Sequence, residues 1–295
     1  MKRSAWRRLG FDRNSLTSIK TWHSCIYTRL ARVSESPSLD AQALLAHVLG
    51  KPRSWVLAHP EDALSSNQVS VLEEAITRLE AGEPLPYVLG HWEFYGLDFV
   101  VTPATLIPRP ETELLVDQAL DWLRHSPGWR RALDVGTGTG CISIALAIHV
   151  HDLSFIASDI SLPALKIAQL NLRRHVLEER IHLVQSDLAP AADGAFDLIC
   201  ANLPYIPSDK LRGLRVAKYE PGLALDGGKD GLDMIRRVLD SAMHLLAHQG
   251  LLLLEIEASE GAAAKALARQ AFPDADIRII VDLSGNERLV RVQIV

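Results

Sequence analysis

Asp134-Val135-Gly136-Thr137-Gly138-Thr139-Gly140 decides the fold of this 295-residue chain. The apolar run Ala132-Leu133-Asp134-Val135 has the length of a buried strand, and Cys141 to Val150 has the pattern of a helix. A glycine-rich turn between the first strand and its helix is where a doubly wound sheet receives a nucleotide-like ligand. Glycines there let the backbone approach the ligand with no Cβ in the way. The spacing is not GxGxxG, because the third glycine arrives one position early, at Gly140. It is not a GxxxxGK[ST] phosphate loop either, since Cys141 follows where lysine is required.

Downstream, Phe155 to Ser158, Ile181 to Gln185, Phe196 to Ala201 and Leu251 to Ile256 read as strands. Ser161 to His175, an amphipathic stretch from Met234 to Leu246 ended by Gly250, and the Ala-rich Ser259 to Ala271 read as helices. Such alternation implies an α/β, doubly wound, largely parallel sheet. Ile277 to Val281 and Leu289 to Ile294 are joined by the short turn at Ser284-Gly285-Asn286-Glu287. That connection is too short for a parallel crossover, so one of the two strands runs antiparallel.

Asp159 ends the second strand, where a carboxylate can accept ribose hydroxyls. Asp187, in Gln185-Ser186-Asp187-Leu188, ends the third, within reach of an adenine amino group, with Leu188 available to pack on the ring. A lone strand-end aspartate usually caps a turn. With Asp134, however, these form a set of three behind one glycine loop. The next strand empties into Asn202-Leu203-Pro204-Tyr205. The Asn202 side-chain carbonyl and the Leu203 main-chain carbonyl offer two acceptors, and Tyr205 a flat ring, which together suit a planar amide or amino group. Asn-x-Pro is also ordinary turn chemistry.

Upstream, Thr17 to about Gly82 is helical in pattern, with Leu44, Leu45, Val48 and Leu49 on one stripe and Val69, Leu72, Ile76 and Leu79 on another. This stretch carries no chemistry-bearing constellation and suits docking of a macromolecular partner. Pro84 to Pro103 is β-prone, through Tyr87, Val88, Trp92, Phe94, Tyr95, Phe99, Val100 and Val101. Pro110 opens a helix from about Glu111 to Leu123, whose first-turn acids Glu111 and Glu113 suit the dipole. The expected organisation is a disordered tail at 1–16, a helical docking domain at 17–83, a β-hairpin linker at 84–104, and a ligand-binding α/β domain at 105–295. The tail is basic, with Lys2, Arg3, Arg7, Arg8 and Arg13 against Asp12, but lacks the Ser-rich amphipathic continuation of a transit peptide.

At 48% hydrophobic and 23% charged, the composition is globular. A net charge of -5 argues against a broad phosphate-neutralising surface, so no direct nucleic-acid partner is expected. Cys25, Cys141 and Cys200 form no CxxC pair, and the 11 histidines show no ligand spacing, so no metal is expected and a reducing cytoplasm fits. Cys141 reads as a packing residue. No apolar run approaches the length of a membrane span, and a monomer is the default.

The DxGxGxG loop is similar to motif I of the S-adenosylmethionine (SAM) dependent methyltransferases. Asn202-Leu203-Pro204-Tyr205 resembles the (D/N)PPY motif of enzymes that methylate planar nitrogens. Gly82 to Gly90, Glu93-Phe94-Tyr95-Gly96, Ile107 to Glu113, Glu220-Pro221 through Ala224 to Leu232, and the helix Leu39 to Gly50 narrow this to the PrmC/HemK family, from about residue 25 to the C-terminus. The resemblance implies a class I, Rossmann-like fold and methyl transfer from SAM to the side-chain amide of the glutamine in the GGQ loop of class-1 peptide chain release factors. It further implies that Gly136, Thr137, Gly138, Thr139, Gly140, Asp159, Asp187 and Leu188 hold SAM. Asn202 and the Leu203 carbonyl would hold the glutamine amide, Pro204 and Tyr205 would shape the slot, and Asn202 would also border SAM. The competing readings are a nucleic-acid base methyltransferase, a ribosomal-protein glutamine methyltransferase and a non-catalytic SAM-binding protein. Two positions depart from the family pattern. Leu203 replaces a proline, although Pro204 already biases it to extended backbone. Glu257 follows Glu255-Ile256 where the family tends to have glycine, a stretch expected to lie away from the slot.

Overall fold

The computed structural model describes residues 18–126, 128, 130–190 and 195–295, so the tail expected at 1–16 lies outside them. It divides into two units at Gly90. The first is helical: α1 (Ile19–Leu30), α2 (Pro37–Leu49), α3 (Arg53–Ala58), α4 (Ser66–Glu80) and α5 (Leu85–Leu89). Ser18 and Ser65 open α1 and α4 through capping boxes with Thr21 and Gln68, satisfying amides that a helix start otherwise leaves unpaired. Trp22, Ile26, Leu30, Leu44, Leu45, Leu72 and Ile76 close the core of this unit. The structure corrects the expectation of β structure from Pro84: Leu85–Leu89 is helical. Pro86 sits in its first turn, where a missing N–H costs nothing, and Tyr87 and Val88 are buried. Burial overrides their β-propensity.

The second unit opens with a hairpin of β1 (His91–Phe94) and β2 (Leu97–Val100), turned by Tyr95 and Gly96, both at positive φ. The hairpin read as a linker packs Phe94 and Phe99 into the same core as the main sheet. There follow α6 (Glu113–His125), β3 (Arg130–Val135), α7 (Cys141–His149), β4 (Leu153–Asp159), α8 (Leu162–His175), β5 (Ile181–Gln185) and β6 (Phe196–Ala201). The chain ends with α9 (Ser208–Leu211), α10 (Asp233–Leu245), β7 (Leu246–Glu255), α11 (Gly261–Ala271), β8 (Asp276–Val281) and β9 (Glu287–Gln293). The fully buried Asn171 of α8 fixes the hairpin. It accepts from Val100 N at 2.7 Å and donates to Val100 O at 3.1 Å and to Thr139 O at 2.9 Å.

The seven-stranded sheet has the order β5-β4-β3-β6-β7-β9-β8. β9 runs antiparallel to both β7 and β8, and the other pairings are parallel. Apolar clusters cover both faces, one including α6 and α7 and the other α10 and α11. Helix α10 stops at Leu245, short of Gly250, because Leu246 already pairs with Phe196 ahead of an irregularity in the ladder. The connection order reverses between β3 and β6, the position where such sheets bind ligands. Val135 pairs with Ala201 there, so Gly136 and Asn202 leave the sheet side by side.

Candidate active site

A cavity of about 540 Å³ opens at the carboxyl ends of these strands. That volume lies in the range of small-molecule and cofactor sites. Gly136, Thr137, Gly138 and Thr139 form part of its wall, as do Asp159, Ser186, Asp187 and Leu188. Asn202, Leu203 and Pro204 form another part, facing Pro108, Arg109 and Thr112 and the loop of Pro221 to Ala224. Two of the sequence-expected residues are absent from this wall. Gly140 instead caps α7, and Tyr205 is half-buried near Glu255, Arg109, Arg288 and Glu111. Burial pushes the Tyr205 phenol up to about 12, so it stays protonated at neutral pH.

The glycine loop is shaped by what it touches. Thr137 donates from Oγ1 to the buried Asp134 Oδ2 at 2.6 Å, and burial pushes that carboxyl up to about 6. Gly136 sits at φ 71°, and a Cβ built there would lie 2.8 Å from Leu203 Cδ2. Leu203, 7% exposed, therefore packs directly on the loop through its side chain.

Asp159 Oδ2 accepts the Gly138 N–H at 2.9 Å, and Oδ1 accepts the Ser161 N–H at 2.8 Å. Each carboxylate oxygen keeps a lone pair for a ligand hydroxyl. Burial raises this carboxyl above its ordinary value, against the pull of those N–H donors. Asp187 stands at the rim with its Oδ2 accepting from Arg237 Nη2 at 2.7 Å, an exposed pair in which Arg237 also lines the cavity. Leu188 reaches the wall from a left-handed backbone, φ 62°.

Three features were not legible as site residues. First, Glu220 is buried and accepts the Ile107 N–H at 3.1 Å and the Arg109 guanidinium, tying the two loops that frame the mouth. Removing it in Glu220→Ala leaves both donors unpaired, which costs about 2–3 kcal/mol. Chemical denaturation should show that loss together with weakened cofactor binding. Second, Thr112 Oγ1 accepts from Asn202 Nδ2 at 2.9 Å. Third, the expectation that the Glu255 stretch lies away from the slot is corrected by the sheet register. Leu254 of β7 pairs with Ala201 of β6, so Glu255 stands level with Asn202. Glu255 is 3% exposed, and burial pushes its carboxyl up to about 7 against the lowering effect of the nearby Thr112 hydroxyl and Asn202 amide. Glu257 turns to Ser259, accepting its N–H at 2.7 Å.

The PrmC N-terminal domain family matches residues 23–90, and the methyltransferase small domain family matches residues 112–216. A release factor glutamine methyltransferase of Moorella thermoacetica is 42% identical over 256 residues, 86% of this chain and 90% of its own length. That of Escherichia coli K12 is 40% identical over 263 residues, 88% of this chain and 92% of its own. The chain belongs to the release factor glutamine methyltransferase family. A solved structure, the catalytic domain of hMettl16 bound to an RNA hairpin, shares the fold at TM-score 0.56 and 15% identity, over 80% of this chain and 85% of that one. The segment that matches the methyltransferase small domain contains both the glycine loop and the tetrapeptide. Both line the same cavity. Among the described residues no helix is long and apolar enough to cross a membrane, and no cluster of His, Cys, Asp and Glu could hold a metal ion.

Proposed function

We propose that the chain transfers a methyl group from SAM to the side-chain amide nitrogen of the glutamine in the GGQ loop of a class-1 release factor. The observation that carries this reading is the packing of Leu203 on Gly136, which puts the tetrapeptide against the glycine loop in a single cavity. The residues present fit SAM: a glycine backbone open to close approach, an acid with lone pairs for two ribose hydroxyls, and Leu188 beside Asp187 for the adenine.

When bound, SAM supplies an electrophilic sulfonium methyl. An amide nitrogen is a weak nucleophile because its lone pair is delocalised into the carbonyl. The Asn202 side-chain carbonyl and the Leu203 main-chain carbonyl each take one N–H, which withdraws the amide from water and directs its nitrogen at the methyl. With SAM held by the glycine loop, Asp159, Asp187 and Leu188, the N–C bond would form as the S–C bond broke, leaving a neutral thioether, and the surplus proton of the nitrogen would pass to water. Strong base is unnecessary, and geometry supplies the acceleration, an effect that can reach about 7–11 kcal/mol. The helical unit docks the release factor, and the enzyme works as a cytoplasmic monomer.

Labelled SAM offered side by side with release factor, ribosomal protein and nucleic acid separates this reading from its rivals. Label is expected in the release factor. Label in nucleic acid or ribosomal protein alone would reassign the substrate, and SAM binding without transfer would make the chain a non-catalytic binder.

A further inference from the structure

Asn202 carries an amide of its own, which is useful for gripping another amide only in one of two orientations. If its NH2 group faced the cavity it would meet the donors of a substrate amide with donors. The structure shows what selects the orientation. Asn202 Nδ2 donates to Thr112 Oγ1 at 2.9 Å, and the buried Glu255 stands level with Asn202 through the pairing of Leu254 with Ala201. The Thr112 hydroxyl and the Asn202 amide are both close enough to Glu255 to lower its pKa against the burial that raises it. A hydroxyl has one proton and two lone pairs, so it can accept from Asn202 and donate to Glu255 at once. Thr112 and Glu255 thus offer the two Asn202 N–H groups one acceptor each.

We infer that Thr112 and Glu255 are positioning residues: they consume both N–H groups of Asn202 and so hold its Oδ1 toward the cavity as the acceptor for the substrate amide. The inference rests on the reading of Asn202 as the group that holds the glutamine amide. It also gives the otherwise unused Glu255 a task, since the cavity it lies behind is lined by Thr112 and Asn202. One of its oxygens, Oε2, is buried with no hydrogen-bond partner, which leaves it acceptor capacity for such a donor. Burying an acid at such a place is costly unless it organises its neighbours.

The ionised form is the one that accepts from both partners. The groups acting on it are Glu111, which raises its pKa, and Thr112, Arg288 and Asn202, which lower it; Tyr205, protonated at neutral pH, lies close by. Because the folded value, about 7, exceeds the ordinary 4.5, the stability this group contributes is complete below pH 4.5 and is lost as pH rises through about 7. Turnover follows the opposite course and rises through the same window as the acceptor forms. A purely structural role would instead make activity follow stability.

The test uses the full chain with two independent readouts. The side-chain NH2 signals of Asn202, assigned by their disappearance in Asn202→Asp, are followed by nitrogen-edited NMR and proton exchange. Both protons are expected to exchange slowly in the wild type, to lose protection in Thr112→Val and to regain it in Thr112→Ser. Transfer to release factor is measured in parallel. Thr112→Val should lower kcat by about 10-fold to 100-fold with SAM affinity unchanged, Thr112→Ser should restore it, and Glu255→Gln should flatten the pH profile. Rapid exchange of the Asn202 amide in the wild type, or protection that survives Thr112→Val, overturns the inference. Failure of the wild type to methylate any release factor overturns the proposed function instead, and leaves the NMR result to decide the orientation by itself.

Discussion

Asn202→Ala lowers turnover by about 10²-fold to 10³-fold, the loss expected on removing one preorganised polar group from a transition state. Asn202 leaves the sheet beside Gly136 and lines the cavity, and its amide is already oriented by Thr112 before any substrate arrives. Alanine removes the acceptor and lets water replace it, so the substrate amide keeps its hydration and samples many directions. Because the lost contact is made most fully when the nitrogen carries developing positive charge, kcat and kcat/KM fall together. On the proposed assignment of the glycine loop and Asp159 to the cofactor, SAM affinity is expected to change by less than about threefold. Steady-state kinetics with release factor, paired with calorimetric titration of SAM, measures both. An alanine variant with wild-type turnover would mean that Asn202 does not grip the substrate.

Gly136→Ala weakens SAM binding by about 10-fold to 100-fold and lowers the melting temperature. Two costs combine. A residue with a Cβ held at φ 71° carries about 1–2 kcal/mol of backbone strain. The same Cβ would also lie 2.8 Å from Leu203 Cδ2, a distance real side chains do not sustain. Leu203 is buried among Val135, Ile199 and Ala201, so it cannot swing freely into solvent. Relief comes from Leu203 Cδ2 turning into the cavity it lines or from movement of the loop, and either reshapes the ligand site. A tenfold change corresponds to about 1.4 kcal/mol, so even incomplete relaxation is visible in a titration. An alanine variant binding SAM with wild-type affinity would show that the loop does not approach the cofactor as closely as proposed.

The sheet was readable because its signals are local. Alternating buried strands and amphipathic helices announce a doubly wound fold, and the short turn at Ser284 to Glu287 requires an antiparallel partner, which proves to be β9. The glycine loop and the tetrapeptide were visible as motifs because each is contiguous in sequence. What escaped depends on pairing over long separations. Glu255 stands beside Asn202 only because Leu254 pairs with Ala201, a register no pattern within β7 reveals. The Glu220 anchor joins residues 111 and 113 positions apart. Tyr205, expected in the slot from its place after Pro204, is off the cavity wall near Glu255, and Asp187 shares one oxygen with Arg237. Helix α5 was obscured because Tyr87 and Val88 prefer strands in isolation, yet their burial determines the outcome.

Mass spectrometry of a release factor incubated with this protein and SAM reads methyl transfer to one glutamine amide directly. The account predicts a single added methyl, located by fragmentation on the side chain of the GGQ glutamine and absent with the Asn202→Ala variant. A release factor that stays unmodified, or a methyl found on any other residue, would contradict it.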